Sequence, residues 1–215
     1  MDAEAFLRLH TRPGFAAIVP EIALHLASEI TPIWQATEAW LVETGIEPPF
    51  WAFAWPGSQA LARVVLDQPA LVAGKRVLDF AAGCGLAAIA CVQAGAASVE
   101  AAEIDPLAIA ATLLNARTNG VEVMAETRDV VGDASRWDLI LCGDVCYEAP
   151  MTGHILPWLR AMVAAGAEVW IADPGRAYLP RAGMEVVAAM TVPTTLELEN
   201  TLTRPVTIYR LSSAS

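Results

Sequence analysis

The chain has 215 residues, 55% of them hydrophobic, and 24 acidic against 13 basic side chains give a formal net charge of −11. That length suits one substantial domain of ~100 to 200 residues. No stretch approaches the ~20 uninterrupted apolar residues of a membrane span, and the acidic balance lacks the electrostatic footprint of a nucleic-acid binder. Asp2 and Glu4 break both the basic-then-apolar order of a signal peptide and the acid-free character of a transit peptide, so a cytoplasmic, non-membrane protein is expected.

Residues 1–45 read as a helical lead-in, with apolar residues recurring at Ile22, Leu26 and Ile30 and again at Trp34, Ala39 and Leu41, interrupted by Pro20 and Pro32. Residues 46–74 follow as an ordered loop carrying Phe50, Trp51, Phe53 and Trp55, then a helix from Ser58 to Asp67. From Lys75 to the end, strand-like and helix-like runs alternate. Strands are predicted at 76–80, 98–103, 121–126, 137–141 and 168–172, with helices at 86–94, 106–119 and 151–165 between them. Such alternation signals a parallel sheet wrapped by helices. After Pro180, 185–192 and 206–211 read as two strands without a helix between them, a terminal antiparallel hairpin. The whole is predicted to be one domain, 1–215.

The run Val77-Leu78-Asp79-Phe80-Ala81-Ala82-Gly83-Cys84-Gly85-Leu86 is a strand feeding a glycine turn that opens a helix, the arrangement that lets backbone approach a nucleotide closely. Read loosely, Gly83, Gly85 and Ala88 also meet the dinucleotide fingerprint, and Glu103 stands where an acid accepts from ribose hydroxyls. Asp79 separates the two ligands. An acid inside the strand suits the ammonium of a methionine moiety and has no evident use beside a pyrophosphate, which favours S-adenosylmethionine. Asp105 before Pro106 is a helix-start signature, while Asp129, after the third strand, is either an acceptor for an adenine amino group or a solvated loop acid. Cys84, Cys91, Cys142 and Cys146 lack zinc spacing and read as reduced core thiols, so no metal is expected. His10, His25 and His154 are isolated and read as non-catalytic.

Asp144 falls at the carboxyl end of the fourth strand, where open parallel sheets bind ligands. Asp144-Val145-Cys146-Tyr147 matches the Asp-x-x-Tyr motif of seven-strand methyltransferases that modify protein lysines. Together with Pro49-Phe50-Trp51-Ala52, Trp55-Pro56-Gly57-x-Gln59-Ala60-Leu61, the glycine turn, Glu103-Ile104-Asp105-Pro106, Gly143-Asp144 and Asp173-Pro174-Gly175-Arg176, the chain from about Pro49 to Arg176 resembles the family of lysine methyltransferases that act on the electron transfer flavoprotein beta subunit. Only the Asp-x-x-Tyr and Asp-Pro-Gly-Arg segments discriminate within the superfamily. The resemblance implies an α/β, Rossmann-like, seven-strand class I methyltransferase sheet with helices on both faces. It further implies cofactor contacts at Trp55, the glycine turn (Asp79, Ala81, Gly83 and Gly85 included), Glu103, Asp129 and Gly143, with Asp144 and Tyr147 as candidate catalytic residues framing the acceptor lysine of a protein substrate. Ala81 stands where relatives often have glycine. Two readings fit Arg176, a rim that meets the substrate and a turn held by an Arg-to-acid pair. Other protein or small-amine acceptors, a nicotinamide-dependent oxidoreductase and a silent binding module remain as alternative readings.

Overall fold

A computed structural model describes residues 3–27 and 49–212. The chain enters through helix α1 (Ala3–His10) and a two-stranded antiparallel hairpin of β1 (Arg12–Ala16) and β2 (Val19–Leu26). This corrects the helical reading of that segment. A spacing of four, as between Ile22 and Leu26, is two strand periods and also close to one helical turn, and the deciding residue is Leu24: Ile22 and Leu24 are both fully buried, the alternation of a strand with one covered face. Ile30, Trp34, Ala39 and Leu41 lie outside the described residues.

A single 3-10 turn (Phe50–Ala52) leads to α2 (Pro56–Asp67), β3 (Arg76–Phe80), α3 (Leu86–Gln93), β4 (Ser98–Glu103), α4 (Pro106–Thr118), β5 (Met124–Thr127), β6 (Leu139–Gly143), α5 (Ala149–Ala164), β7 (Glu168–Asp173), β8 (Met184–Pro193), the one-turn α6 (Leu196–Glu199) and β9 (Thr203–Leu211). Asp105 caps α4, its carboxylate accepting the Leu107 N–H at 2.8 Å. Seven strands form one sheet in the order β5-β4-β3-β6-β7-β9-β8. The first five are parallel, and β9 runs antiparallel to both β7 and β8. The terminal hairpin is thus as expected, apart from the turn of helix α6 at its tip.

Successive strand residues serve opposite faces. Val77, Leu139, Leu141 and Trp170 join α2 and α3 in one apolar cluster, whereas Leu78, Ile140, Cys142 and Ile171 join Trp158, Leu159 and Met162 of α5 in another. Runs apolar on both faces are the mark of a parallel strand covered on both sides, and each fully buried Leu or Ile contributes roughly 1.5–3 kcal/mol. All four cysteines are buried and unpaired. Asn115 of α4 and Asn119, which caps its C-terminus, fasten the β1-β2 hairpin: Asn119 bonds both backbone groups of Ala23 (2.9 and 2.7 Å), and Asn115 accepts from the His25 N–H at 2.7 Å. The Asn115 amide also donates to the Cys84 carbonyl at 2.9 Å, so one side chain ties hairpin, helix and glycine turn together.

Candidate active site

A cleft of about 910 Å³ opens at the carboxyl ends of the parallel strands, within the ~300–1,000 Å³ typical of small-molecule sites. The turn after β3, the end of β4, the loop after β6 and the segment after β7 all reach it. Trp55, Ala81, Gly83, Glu103, Asp129, Gly143, Asp144 and Tyr147 line it together. Among the described residues no group of His, Cys, Asp and Glu has metal-site geometry, and no helix is long and apolar enough to cross a membrane.

The glycine turn is strained where it carries a side chain. Ala81 has φ +55° and Gly83 φ +55°, the left-handed region that penalises a Cβ by about 1–2 kcal/mol. Relief of that strain, less the entropy glycine adds to the unfolded chain, predicts that Ala81→Gly gains about 0.5–1 kcal/mol. Thermal denaturation checks this, with a rise of roughly 1–4 °C expected. Gly85 (φ +76°) does not line the cleft. It caps α3, and a Cβ there would come within 2.7 Å of the Thr112 side chain, so its smallness sets how closely α3 meets α4.

Asp79, expected to pair with a ligand ammonium, does not line the cleft either. It is buried under the turn, where Oδ2 accepts the Ala88 N–H at 2.9 Å. The first N–H groups of a helix need acceptors, and this carboxyl in the preceding strand supplies one for α3. Burial pushes it up to about 8, with the Ala88 N–H opposing and Glu103 adding to the rise.

Glu103 ends β4 with both oxygens engaged, Oε2 accepting from Gly83 N–H at 3.2 Å and Oε1 from Ile104 N–H at 2.9 Å. Burial raises its pKa, partly offset by those two donors. Asp129 accepts the Val131 N–H at 2.9 Å and lies 2.6 Å from His154 Nε2. His154, on α5, also faces the cleft, and nothing in the sequence tied it to Asp129.

An aromatic group stands at the mouth. Phe50 packs its ring 5.9 Å from Trp55 and 5.8 Å from Tyr147, and Trp55 Nε1 donates to the Phe50 carbonyl at 2.7 Å. Tyr147 keeps 43% of its surface exposed. Trp51 is buried among Phe6, Ala108 and Leu114, yet it borders the cleft, and its indole N–H has no partner among the described residues.

Asp144 follows β6 with φ +58°, a conformation that Asp tolerates better than most residues but that still stores strain. Two contacts hold it. Its Oδ2 accepts the Gly57 N–H at the start of α2, and its Oδ1 lies 3.0 Å from Arg176 Nη2. Burial pushes its carboxyl up to about 6; the Arg176 guanidinium and the Gly57 N–H pull the other way, and neighbouring Asp173 adds to the rise. Gly57 was only part of a motif in the sequence, and its role is steric: a Cβ would sit 2.6 Å from the Ala172 carbonyl and 2.8 Å from the Asp144 nitrogen. Gly143 answers it from β6, where a Cβ would meet Ser58 N at 2.9 Å. The Asp-Pro-Gly-Arg turn is held by backbone groups on Asp173, and the Arg176 side chain pairs with acids outside it. Asp173 Oδ1 accepts the Gly175 and Arg176 N–H groups at 2.7 and 2.6 Å, closing the turn, while the Arg176 side chain borders the cleft and pairs with Asp144 and Glu199.

Strand order, glycine turn and the acidic end of β4 define the class I methyltransferase fold. Solved structures share it, among them a ribosomal protein L11 methylase from Lactobacillus delbrueckii subsp. bulgaricus (TM-score 0.52, 22% identity, 74% of this chain and 81% of that one). Another is the magnesium protoporphyrin IX methyltransferase of Synechocystis PCC 6803 with bound SAH (TM-score 0.54, 18% identity, 72% and 83%). The family described as ribosomal protein L11 methyltransferase (PrmA) matches residues 60–145. Over 177 residues the chain is 39% identical to the electron transfer flavoprotein beta subunit lysine methyltransferase of Xenopus laevis, covering 80% of this chain and 70% of the relative. Identity to its Danio rerio counterpart is 36% over 192 residues (86% and 73%) and to the Homo sapiens one 34% over 180 residues (81% and 67%). The chain belongs to the electron transfer flavoprotein beta subunit lysine methyltransferase family.

Proposed function

We propose that this chain is a protein-lysine N-methyltransferase that moves the methyl group of S-adenosylmethionine to lysine side chains of the electron transfer flavoprotein beta subunit. The observation that carries this reading is the 39% identity over 80% of the chain, which includes the stretch that places Asp144 and Tyr147 at one end of the cleft. The residues present fit the cofactor. Gly83 leaves open space, since a Cβ there would meet nothing nearer than Trp51 Cα at 3.9 Å. Glu103 offers a carboxylate for the ribose hydroxyls, Asp129 an acceptor for the adenine amino group, and the buried Trp51 N–H lacks a partner among the described residues.

Bound S-adenosylmethionine supplies an already activated methyl group, so the protein's task is to align an amine in line with it and exclude water. Trp55, Phe50 and Tyr147 form the walls that exclude water, and their ring faces suit a cationic sulfonium or a methylated ammonium. Asp144 positions the acceptor. A lysine has an unperturbed pKa near ~10.4 and attacks only when neutral, and a carboxylate favours its charged form, so Asp144 orients and does not act as the base.

Glu103→Ala removes an acceptor for two ribose hydroxyls and is expected to weaken cofactor binding by roughly 1.5–3 kcal/mol per charged bond lost. Titration calorimetry with S-adenosylmethionine reads this directly, and an unchanged affinity would remove Glu103 from the site. The function itself is tested by incubating the purified protein and radiolabelled S-adenosylmethionine with recombinant electron transfer flavoprotein and with a cell extract, then mapping label by mass spectrometry. Label on beta-subunit lysines is expected. Label on other proteins would keep the class and replace the substrate, and no transfer to any protein would overturn the reading.

A further inference from the structure

Arg176 joins two carboxylates from different parts of the fold. Its Nη2 lies 3.0 Å from Asp144 Oδ1 and 2.9 Å from Glu199 Oε1. Glu199 is a buried acid on α6, and its second oxygen accepts Arg204 Nε at 2.9 Å while its carbonyl accepts Arg204 Nη2 at 3.0 Å. A continuous relay therefore runs from the β8-β9 hairpin to the acceptor end of the cleft, and all four side chains border that cleft.

The turn that carries Arg176 does not need this arrangement, because Asp173 Oδ1 already closes it with two backbone bonds. Buried charges are expensive unless paired, so a cation set between two acids at a ligand cleft calls for a role in the chemistry. Attack requires a neutral amine, and a bare carboxylate at Asp144 would hold the amine protonated.

Resting on the lysine-acceptor reading above, we propose that Arg176 is a positioning residue that locks Asp144 in place and offsets its charge, with Glu199 holding the guanidinium there, so that the acceptor end favours a neutral amine. The groups acting on Asp144 are the Gly57 N–H from α2, Asp173 and Arg176 from β7 and its following turn, and Cys146 from its own loop, with Glu199 of α6 and Arg204 of β9 behind Arg176. After burial, the Arg176 guanidinium is the largest influence on the Asp144 carboxyl, and it acts downward. Removing the Arg176 charge raises the pKa of Asp144 and of an amine beside it; removing the Glu199 charge lowers both.

The test is the pH profile of kcat/KM for methyl transfer to recombinant electron transfer flavoprotein. In Arg176→Gln the acid limb is expected to move up by about one unit or more, and in Glu199→Gln it moves down, with cofactor affinity unchanged in both. Arg176→Lys keeps the charge without the fork that bridges two acids, so its limb stays near the parent position while its rate falls. A pH-independent loss of rate in Arg176→Gln, or limbs that move the same way in both variants, overturns the proposal. If the parent protein methylates no lysine, the acceptor reading fails by itself. A carbon-13 carboxyl titration of Asp144, assigned with Asp144→Asn, then decides for Arg176: an Asp144 pKa that rises in Arg176→Gln upholds its hold on that carboxylate, and one that does not move overturns it.

Discussion

Asp144→Asn is expected to lower methyl transfer by about 10²-fold or more, the loss expected when the acceptor amine is misplaced by ~1 Å, while leaving the dissociation constant for S-adenosylmethionine within about threefold of the parent value. Asn is the informative replacement. It tolerates the left-handed conformation at φ +58° almost as well as Asp, and its oxygen still accepts the Gly57 N–H, so the fold around it should survive. What it loses is the negative charge that meets Arg176 and the incoming amine. Circular dichroism shows whether the fold is intact, calorimetry gives cofactor affinity, and initial rates on the protein substrate give the loss. A variant that turns over at the parent rate would remove Asp144 from the mechanism.

Gly57→Ala is expected to destabilise the protein by about 1–3 kcal/mol, a fall in melting temperature of roughly 3–10 °C, and to abolish most activity. The new methyl would lie 2.6 Å from the Ala172 carbonyl and 2.8 Å from the Asp144 backbone nitrogen, backbone atoms that cannot yield as a flexible side chain could. Relief comes only by lifting the start of α2 off the sheet, which breaks the bond from Gly57 to Asp144 and moves Trp55 at the same helix end. Gly153→Ala is the control, because a Cβ there meets nothing within 4 Å inside α5 and should stabilise that helix by about 0.5–1 kcal/mol. Equal melting temperatures for Gly57→Ala and the parent would show that the α2-sheet contact is looser than the structure has it.

Family, sheet and most of the cleft were legible in the sequence because their signals are local. Alternating runs fix a parallel sheet wherever both faces are apolar, as in Leu139-Ile140-Leu141. A glycine turn between strand and helix fixes a nucleotide site, and an acid at the end of the next strand lands beside it, as Glu103 does. Less was legible where one pattern serves two periods. Ile22 and Leu26 satisfy helix and strand alike, and it is the burial of Leu24 beside Ile22, with Asn115 and Asn119 bonding the segment's backbone, that marks a hairpin. Asp79 was chosen for its sign and position, but its depth in the strand and the need of the Ala88 N–H for an acceptor are matters of three dimensions.

By itself, then, the sequence determined a parallel core, the glycine turn, the carboxylate of Glu103 and the placing of Asp144 and Tyr147 after the fourth strand. Tertiary structure alone decided which charges meet. Arg176 reaches Asp144 across 32 residues of chain and Glu199 across 23, Asp129 meets His154 across 25, and Gly57 comes against Asp144 across 87. No periodicity encodes such pairs, because ion pairing and close backbone approach depend on where the sheet's twist and the return of the terminal hairpin bring distant loops, whereas strand and helix formation depend on neighbours a few residues away.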